Sequence, residues 1–325
     1  MKENARARSR LAKCIFMFSI LRYIDFSGER RIRMGVDFAF LDSGTGGLPY
    51  MKTLLERKSD ARCVYVGDTK NFPYGEKTES QIIEKSVECA GKIIERWHPE
   101  TLVVACNTIS VTALENLRAA FPGTPVVGTV PAIKPAARDS KNRRIGLLAT
   151  NATVNHPYTK RLISDFASDC TIVSRGDPEL ISFIEHKAFS SSIEEQNEAV
   201  RPAISFFKEN GCDVIVLACT HFLNMAHVFE RVAGAEIKIV DSRDGVARHA
   251  LEVHDEHIRG KGGIGCENRN GRECGSGSCA GGSASEVGAV SCEPELFVTG
   301  FTRASDEENY QIFCKNNHVK FGGLL

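Results

Sequence analysis

Two short segments of the chain place a cysteine at the end of an apolar run, directly before polar side chains. Residues 103–108 read VVACNT, and residues 216–221 read VLACTH. Apolar runs of this length with polar flanks are typical of buried β-strands, and α/β proteins carry their chemistry at the carboxyl ends of such strands. Cys106 and Cys219 are therefore the first candidates for chemistry.

Each of these thiols has a partner that could tune its proton affinity. Asp42 ends another predicted strand in the half of the chain that contains Cys106, and His221 lies two residues after Cys219. A single buried cysteine is more often a small apolar core residue than a reactive group. Two thiols in matching places could instead remove a proton from one face of a substrate carbon and return one to the other face. Such a pair would invert a stereocentre.

A repeated order of strands, turns and helices positions the two cysteines. The predicted strands at 36–41 and 144–149 each lead into a polar turn, and a cysteine follows 64 residues after Asp42 in the first unit and 69 residues after Thr150 in the second. This spacing predicts an α/β protein with two similar doubly wound domains, with mainly parallel sheets, that face each other across the active site. Residues 34–130 and 243–325 are expected to form one domain, and residues 131–242 the other.

Two stretches have a different composition. Residues 1–33 contain nine Lys or Arg against three acidic residues, and because Met34 directly precedes the first strand we expect them to be a disordered extension or absent from the native protein. Residues 260–290 are rich in Gly and Ser and are expected to form a mobile insertion. The spacing of the three cysteines in that insertion fits no usual zinc site, so no metal is expected.

Composition excludes several classes of function. The chain has 41 basic and 41 acidic residues, so no nucleic-acid partner is expected. Its 12 cysteines are scattered, as in reduced cytoplasmic proteins, and no apolar run approaches the roughly 20 residues of a membrane-spanning helix. No cofactor motif is present. The protein is therefore expected to be cytoplasmic, without cofactor, metal or membrane partner.

Polar side chains at the predicted strand ends could hold one small, highly polar molecule. The turn at 42–47 is rich in Gly, Ser and Thr and lies at a helix start, where free N–H groups favour an anion. Because no Gly-Lys-Ser/Thr follows, the anion is expected to be a carboxylate and not a nucleotide phosphate. Further donors at strand ends are Asn107, Thr108, Thr150, Thr153 and Thr220.

Five motifs together resemble, in order and spacing, the signatures of the glutamate racemase family. They lie at residues 42–47, 73–75, 105–108, 149–153 and 219–221. The resemblance implies a cofactor-independent isomerase that interconverts L- and D-glutamate, with the D-form used for bacterial peptidoglycan. It also implies that the small-molecule partner is glutamate and that the protein forms a homodimer.

The resemblance also implies roles for individual residues. Cys106 and Cys219 would be the paired acid/base groups. Asp42 would assist Cys106, and His221 together with Glu185 would assist Cys219. The substrate would be bound by Asp42, Ser43, Pro73, Tyr74, Gly75, Asn107, Thr108, Thr150, Thr153 and Thr220.

Other functions remain open at this level. Aspartate racemases of the same superfamily keep both cysteines but tend to carry Glu where His221 stands, and a decarboxylase of this fold keeps only one of the two cysteines. A non-catalytic amino-acid-binding protein would have the same two α/β units and no need for two thiols. A regulatory protein that uses residues 1–33 as a binding arm is a further alternative.

Overall fold

Ten parallel β-strands in two sheets form the core of the part of the chain that the structure describes. A computed structural model describes residues 35–262 and 293–325. Residues 1–33 and most of the 260–290 stretch lie outside the described residues. Residues Val36–Leu325 cluster as one unit, and the division near 130 and 242 stays a prediction.

The first sheet contains six parallel strands in the order β10-β9-β2-β1-β3-β4. Its strands are β1 (Phe38–Asp42), β2 (Cys63–Gly67), β3 (Thr101–Val104), β4 (Val126–Gly128), β9 (Glu295–Val298) and β10 (Lys320–Leu324). The last two strands, β9 and β10, therefore lie in the first sheet.

The second sheet contains four parallel strands in the order β6-β5-β7-β8. Its strands are β5 (Arg144–Ala149), β6 (Thr171–Gly176), β7 (Val214–Leu217) and β8 (Lys238–Val240). This order repeats that of β2-β1-β3-β4, so the two cysteines follow equivalent strands. The predicted α/β fold with two similar parallel sheets is confirmed.

Helices flank both sheets. They are α1 (Leu48–Arg57), α2 (Glu79–Trp97), α3 (Asn107–Ala120), α4 (Ile133–Asp139), α5 (Asn151–Asn155), α6 (Pro157–Phe166), α7 (Pro178–His186), α8 (Ile193–Glu209), α9 (Thr220–Leu223), α10 (Ala226–Ala233), α11 (Arg243–Gly262) and α12 (Asp306–Asn317). Within residues 35–262 and 293–325, none of these helices has the length and apolar character needed to cross a membrane.

The local sequence explains why these elements form. Strands β1, β2, β3 and β7 are buried along their whole length, which is why central parallel strands appear as continuous apolar runs. Helix α2 begins with a capping box in which Thr78 and Gln81 exchange hydrogen bonds between side chain and backbone. Strand β6 was not predicted from the sequence. It lies at the sheet edge, where its residues are half-buried or exposed, so its sequence contains no continuous apolar run.

Candidate active site

A cavity of about 460 Å³ lies where strands of both sheets end. Residues that follow β1, β3, β5 and β7 contribute to its wall, together with the loop after β2, one face of α7 and the segment after β9. The lining residues are Ser43, Phe72, Pro73, Tyr74, Gly75, Glu76, Cys106, Asn107, Thr108, Thr150, Asn151, Pro178, Ile181, Ser182, His186, Cys219, Thr220, His221, Thr302 and Arg303.

The structure brings the predicted site residues together in two layers. All of them line the cavity except Asp42, Glu185 and Thr153, which are buried behind the wall. Each of these three hydrogen bonds to a residue that does line the cavity. The two cysteines share one cavity, as their equivalent positions in the two sheets predict.

Cys106 reaches Asp42 through one hydroxyl group. The thiol lies 3.7 Å from the Oγ atom of Ser43, and that hydroxyl lies 3.4 Å from a carboxylate oxygen of Asp42. Burial and the nearby Asp42 charge raise the pKa of Cys106 well above its ordinary value. The thiol therefore stays protonated unless its surroundings change.

Asp42 is fully buried and is bound by groups from three parts of the chain. Its Oδ2 atom accepts hydrogen bonds from the N–H of Gly47 at 2.8 Å and the hydroxyl of Tyr65 at 3.0 Å. The hydroxyl of Thr220, which lies 3.3 Å away, joins the carboxylate to the second sheet. Burial raises the pKa of Asp42 above its ordinary value, although His221 and the hydrogen bonds oppose this effect.

Cys219 has a different partner, the imidazole of His221. The Nδ1 atom of His221 lies 3.7 Å from the thiol, and its Nε2 atom lies 2.9 Å from the Glu185 carboxylate. Burial alone would lower the pKa of His221, but the hydrogen bonds to Cys219 and Glu185 outweigh it and raise this pKa well above its ordinary value. Cys219 therefore lies beside a positive charge.

The Glu185 carboxylate, which hydrogen bonds to His221, also accepts hydrogen bonds from Thr45 and Tyr310. Its Oε2 atom accepts from the N–H of Thr45 at 2.9 Å and from the Thr45 hydroxyl at 2.7 Å, and its Oε1 atom accepts from Tyr310 at 3.3 Å. Burial would raise the pKa of Glu185, but the bonds from His221 and Thr45 lower it. Glu185 and His221 thus form a buried ion pair.

The glycine-rich turn at 42–47 donates backbone hydrogen bonds to the carboxylates of Asp42 and Glu185. The sequence predicts free N–H groups for a bound anion, but the N–H groups of Thr45 and Gly47 donate to protein carboxylates, so that expectation is wrong for them. A Cβ atom on Gly44 would lie 2.8 Å from the Glu185 carboxylate, and one on Gly46 would lie 2.6 Å from the backbone of His221. Glycine is required here for close approach between the two halves.

Neutral hydrogen-bonding groups occupy the rest of the wall. The hydroxyls of Thr108 and Thr150 lie 3.0 Å apart, and Thr153 supports both from behind. Both polar atoms of the Asn107 amide are buried without a hydrogen-bond partner among the described residues. Because an unpaired buried amide is costly, Asn107 on the cavity wall is a candidate to hydrogen bond to a ligand.

The sequence of this chain matches known racemases over most of its length. The sequence model of the Asp/Glu/hydantoin racemase family matches residues 49–250. A glutamate racemase of Treponema pallidum (strain Nichols) is 42% identical over 229 residues, which are 70% of this chain and 85% of that protein. This chain belongs to the Asp/Glu/hydantoin racemase family.

Solved structures of glutamate racemases share the fold. The Escherichia coli enzyme, in complex with L-glutamate and an activator, has a TM-score of 0.70 at 29% identity, and the match covers 89% of this chain and 98% of that one. The Aquifex pyrophilus enzyme has a TM-score of 0.58 at 26% identity, covering 87% and 97% of the two chains. These relatives identify the protein as an amino-acid racemase, which is an isomerase.

Some residues of this racemase cavity were not predicted from the sequence. They are Phe72, Glu76, Asn151, Pro178, Ile181, Ser182, His186, Thr302 and Arg303. Phe72 and Glu76 adjoin the motif at 73–75, and Asn151 lies within the motif at 149–153, so their position in the sequence could have found them. The other four before β9 lie on the face of α7 next to Glu185, so helical spacing could have found those. Thr302 and Arg303 follow β9, and they carry no local signal of their position in the cavity.

Proposed function

We propose that this protein interconverts L-glutamate and D-glutamate without a cofactor, by proton transfer through Cys106 and Cys219. The observation that carries the proposal is that the two thiols line one cavity and that each has its own polar partners. Relatives at about 40% identity are glutamate racemases.

In each direction, one cysteine acts as a thiolate and the other as a thiol. The thiolate takes the α-proton, and the electron pair of the C–H bond stays on the substrate, spread over the α-carboxylate as an enediolate. The opposite thiol then donates its proton to the other face of the same carbon. Only C–H and S–H bonds break and form, so the reaction needs no external oxidant or reductant.

The two thiols have unlike surroundings, and this difference gives their partners separate roles. The His221 imidazolium lies beside Cys219 and stabilises negative charge there. Asp42 connects to Cys106 through the Ser43 hydroxyl, and its charged carboxylate can accept the proton of this thiol through that hydroxyl, while the same charge keeps the pKa of the thiol high. Positioned acid/base groups of this kind typically contribute about 10²–10⁴ in rate.

The substrate is held mainly by neutral donors. Asn107, Thr108 and Thr150 offer an amide and two hydroxyls to a carboxylate, and Ser43 and Thr220 lie beside the thiols. Pro73, Tyr74 and Gly75 form the wall contributed by the loop after β2. Supply of D-glutamate for peptidoglycan, a cytoplasmic location and a homodimer complete the proposal, and gel filtration with light scattering tests the last of these.

The decisive experiment is incubation of the pure protein with L-glutamate in heavy water, followed by optical rotation and α-deuterium content. We expect rotation to fall to zero while D-glutamate accumulates with deuterium at the α-carbon. A parallel incubation with L-aspartate tests the alternative substrate. Deuterium exchange on aspartate alone would mean that aspartate, and not glutamate, is the substrate. No exchange on either amino acid would favour a non-catalytic amino-acid-binding protein.

A further inference from the structure

Each of the two carboxylates behind the thiols accepts a hydrogen bond from a buried tyrosine. Tyr65 donates to Asp42 at 3.0 Å, and Tyr310 donates to Glu185 at 3.3 Å. Both tyrosine side chains are buried, and neither lines the cavity. We propose that Tyr65 and Tyr310 are positioning residues that keep the two carboxylates charged and in place, each on behalf of one thiol.

This inference rests on the proposed function, because it assigns each tyrosine to one half of a two-thiol reaction. Tyr65 acts through Asp42 and Ser43 on Cys106. Tyr310 acts through Glu185 and His221 on Cys219.

The Tyr65 hydroxyl has one proton and two possible acceptors, the Asp42 carboxylate and the carbonyl of Gly44. Its oxygen accepts the N–H of Gly47 at 3.0 Å and lies 2.9 Å from the carbonyl oxygen of Gly44. A carboxylate is the stronger acceptor, because hydrogen bonds to charged groups are the stronger ones. Removing this hydroxyl would leave Asp42 with fewer donors in a site where burial already favours its neutral form.

Tyr310 supports the more weakly held oxygen of Glu185. The Oε2 atom is bound by His221 and by both donors of Thr45, whereas Oε1 accepts, among the residues that the structure describes, only from Tyr310 and, at 3.3 Å, from the N–H of Thr45. Removing the Tyr310 hydroxyl would make the Glu185 charge less stable. The imidazolium of His221 would then lose part of its counter-charge.

The two tyrosines should therefore affect opposite limbs of the pH profile. If Asp42 gains a proton more easily, activity falls at a higher pH on the acidic side. If His221 loses its proton more easily, activity falls at a lower pH on the alkaline side. Among the described residues, the other titratable groups that act on Asp42, Glu185 and His221 are Cys106, Cys219, His186, Tyr50 and the two tyrosines themselves. They are the same in both variants except for the hydroxyl removed.

The test uses Tyr65→Phe and Tyr310→Phe, each of which serves as the control for the other. Racemisation has an equilibrium constant of one, so kcat/KM must be equal in both directions and cannot separate the two thiols. Elimination from the two enantiomers of threo-3-chloroglutamate can separate them. The thiolate takes the α-proton, the C–H electron pair forms the Cα=Cβ bond, and chloride leaves with the C–Cl pair.

Chloride release is measured for each enantiomer, with Cys106→Ser and Cys219→Ser showing which enantiomer each thiol serves. Tyr65→Phe should lose about 3- to 30-fold on the enantiomer that Cys106→Ser fails to process, since loss of a hydrogen bond to a charged group shifts a pKa by about one unit. Tyr310→Phe should lose a similar factor on the other enantiomer. The acidic limb of the racemisation profile should rise in pH only for Tyr65→Phe, and the alkaline limb should fall only for Tyr310→Phe.

Equal losses on both enantiomers, or no loss in either variant, would overturn the assignment. Where a Phe variant does not fold, 3-fluorotyrosine at the same position keeps the size and makes the hydroxyl a stronger donor. It should move the same limb in the opposite direction, and an unmoved limb would also overturn the assignment. Wild-type protein that releases chloride from neither enantiomer would instead refute the proposed function, and this inference with it.

Discussion

The Nε2 atom of His221 lies 2.9 Å from a carboxylate oxygen of Glu185, and both side chains are 1% exposed. This buried ion pair joins α7 to the strand end that carries Cys219. A buried pair of charges is costly to form but is strongly stabilising relative to a site where one partner is missing. The pair therefore links the stability of the fold to the charge state of the site.

Replacing Glu185 by Gln should reduce both activity and stability. The His221 pKa is raised in the folded state, so its contribution to stability is present below the unfolded pKa of about 6.5 and is lost as pH rises through the folded pKa. The Glu185 pKa is lowered, so its contribution is present above about 4.5 and is lost as pH falls through the folded pKa. Destabilisation should thus be largest near pH 5 to 6.5, at about 3 kcal/mol.

Urea unfolding of Glu185→Gln and wild type between pH 5 and pH 9 measures this difference. The matched control is Glu198→Gln, because Glu198 pairs with Arg201 on the exposed surface of α8 and should matter little. A destabilisation that stays constant across this pH range would show that the effect is one of packing and not of charge.

Cys106→Ser and Cys219→Ser should each lower racemisation by orders of magnitude, about 10²–10⁴, because a hydroxyl is far too weak an acid for either proton transfer at neutral pH. Both variants should fold and still bind glutamate, since the donors on the cavity wall remain. Calorimetric titration with glutamate and turnover assays check both points. Full racemase activity in either variant would show that the replaced cysteine takes no part in proton transfer.

The two serine variants should also differ from each other. The remaining thiol in each can reach the α-proton of only one enantiomer, so elimination from the 3-chloroglutamate enantiomers should show opposite preferences. Equal elimination of both enantiomers by each variant would exclude the arrangement of two bases on opposite faces.

The strand ends could be predicted from the sequence, whereas the contacts that distant elements make with the site could not. Cys106 and Cys219 follow apolar runs whose local pattern fixes both the strand and its end. Tyr310 and Arg303 reach the site only because β9 pairs with β2, and this long-range pairing has no local signal. The partners of the turn at 42–47 were missed for the same reason, because Glu185 lies 140 residues from Thr45.

Asn107→Ala should separate function from stability. The amide of Asn107 is buried without a hydrogen-bond partner among the described residues, so its removal should leave the melting temperature unchanged or raise it. Removal should weaken glutamate binding, because a ligand that hydrogen bonds to the amide loses that bond, which contributes about 1–3 kcal/mol when charge is involved. Thermal denaturation with and without glutamate measures both effects, and a large fall in the melting temperature without glutamate would mean that the amide supports the fold.

Arg303→Gln should weaken capture of the substrate while leaving the proton transfers intact. Arg303 is exposed, and it is the one Lys or Arg among the residues that line the cavity in the described part of the chain. Glutamate carries two carboxylates and one ammonium group, so a guanidinium at the cavity attracts it from solution. We expect KM to rise about twofold to fivefold with little change in kcat, since one exposed charge pair contributes up to about 1 kcal/mol. We also expect kcat/KM of the variant to depend less on salt, because the wild-type attraction is screened by ions. Arg303→Lys keeps the charge and serves as the control, with kinetics measured between about 10 mM and 0.5 M salt.

If Arg303→Gln shows the same salt dependence as wild type, Arg303 does not attract the substrate, and the neutral donors of the cavity wall suffice for capture.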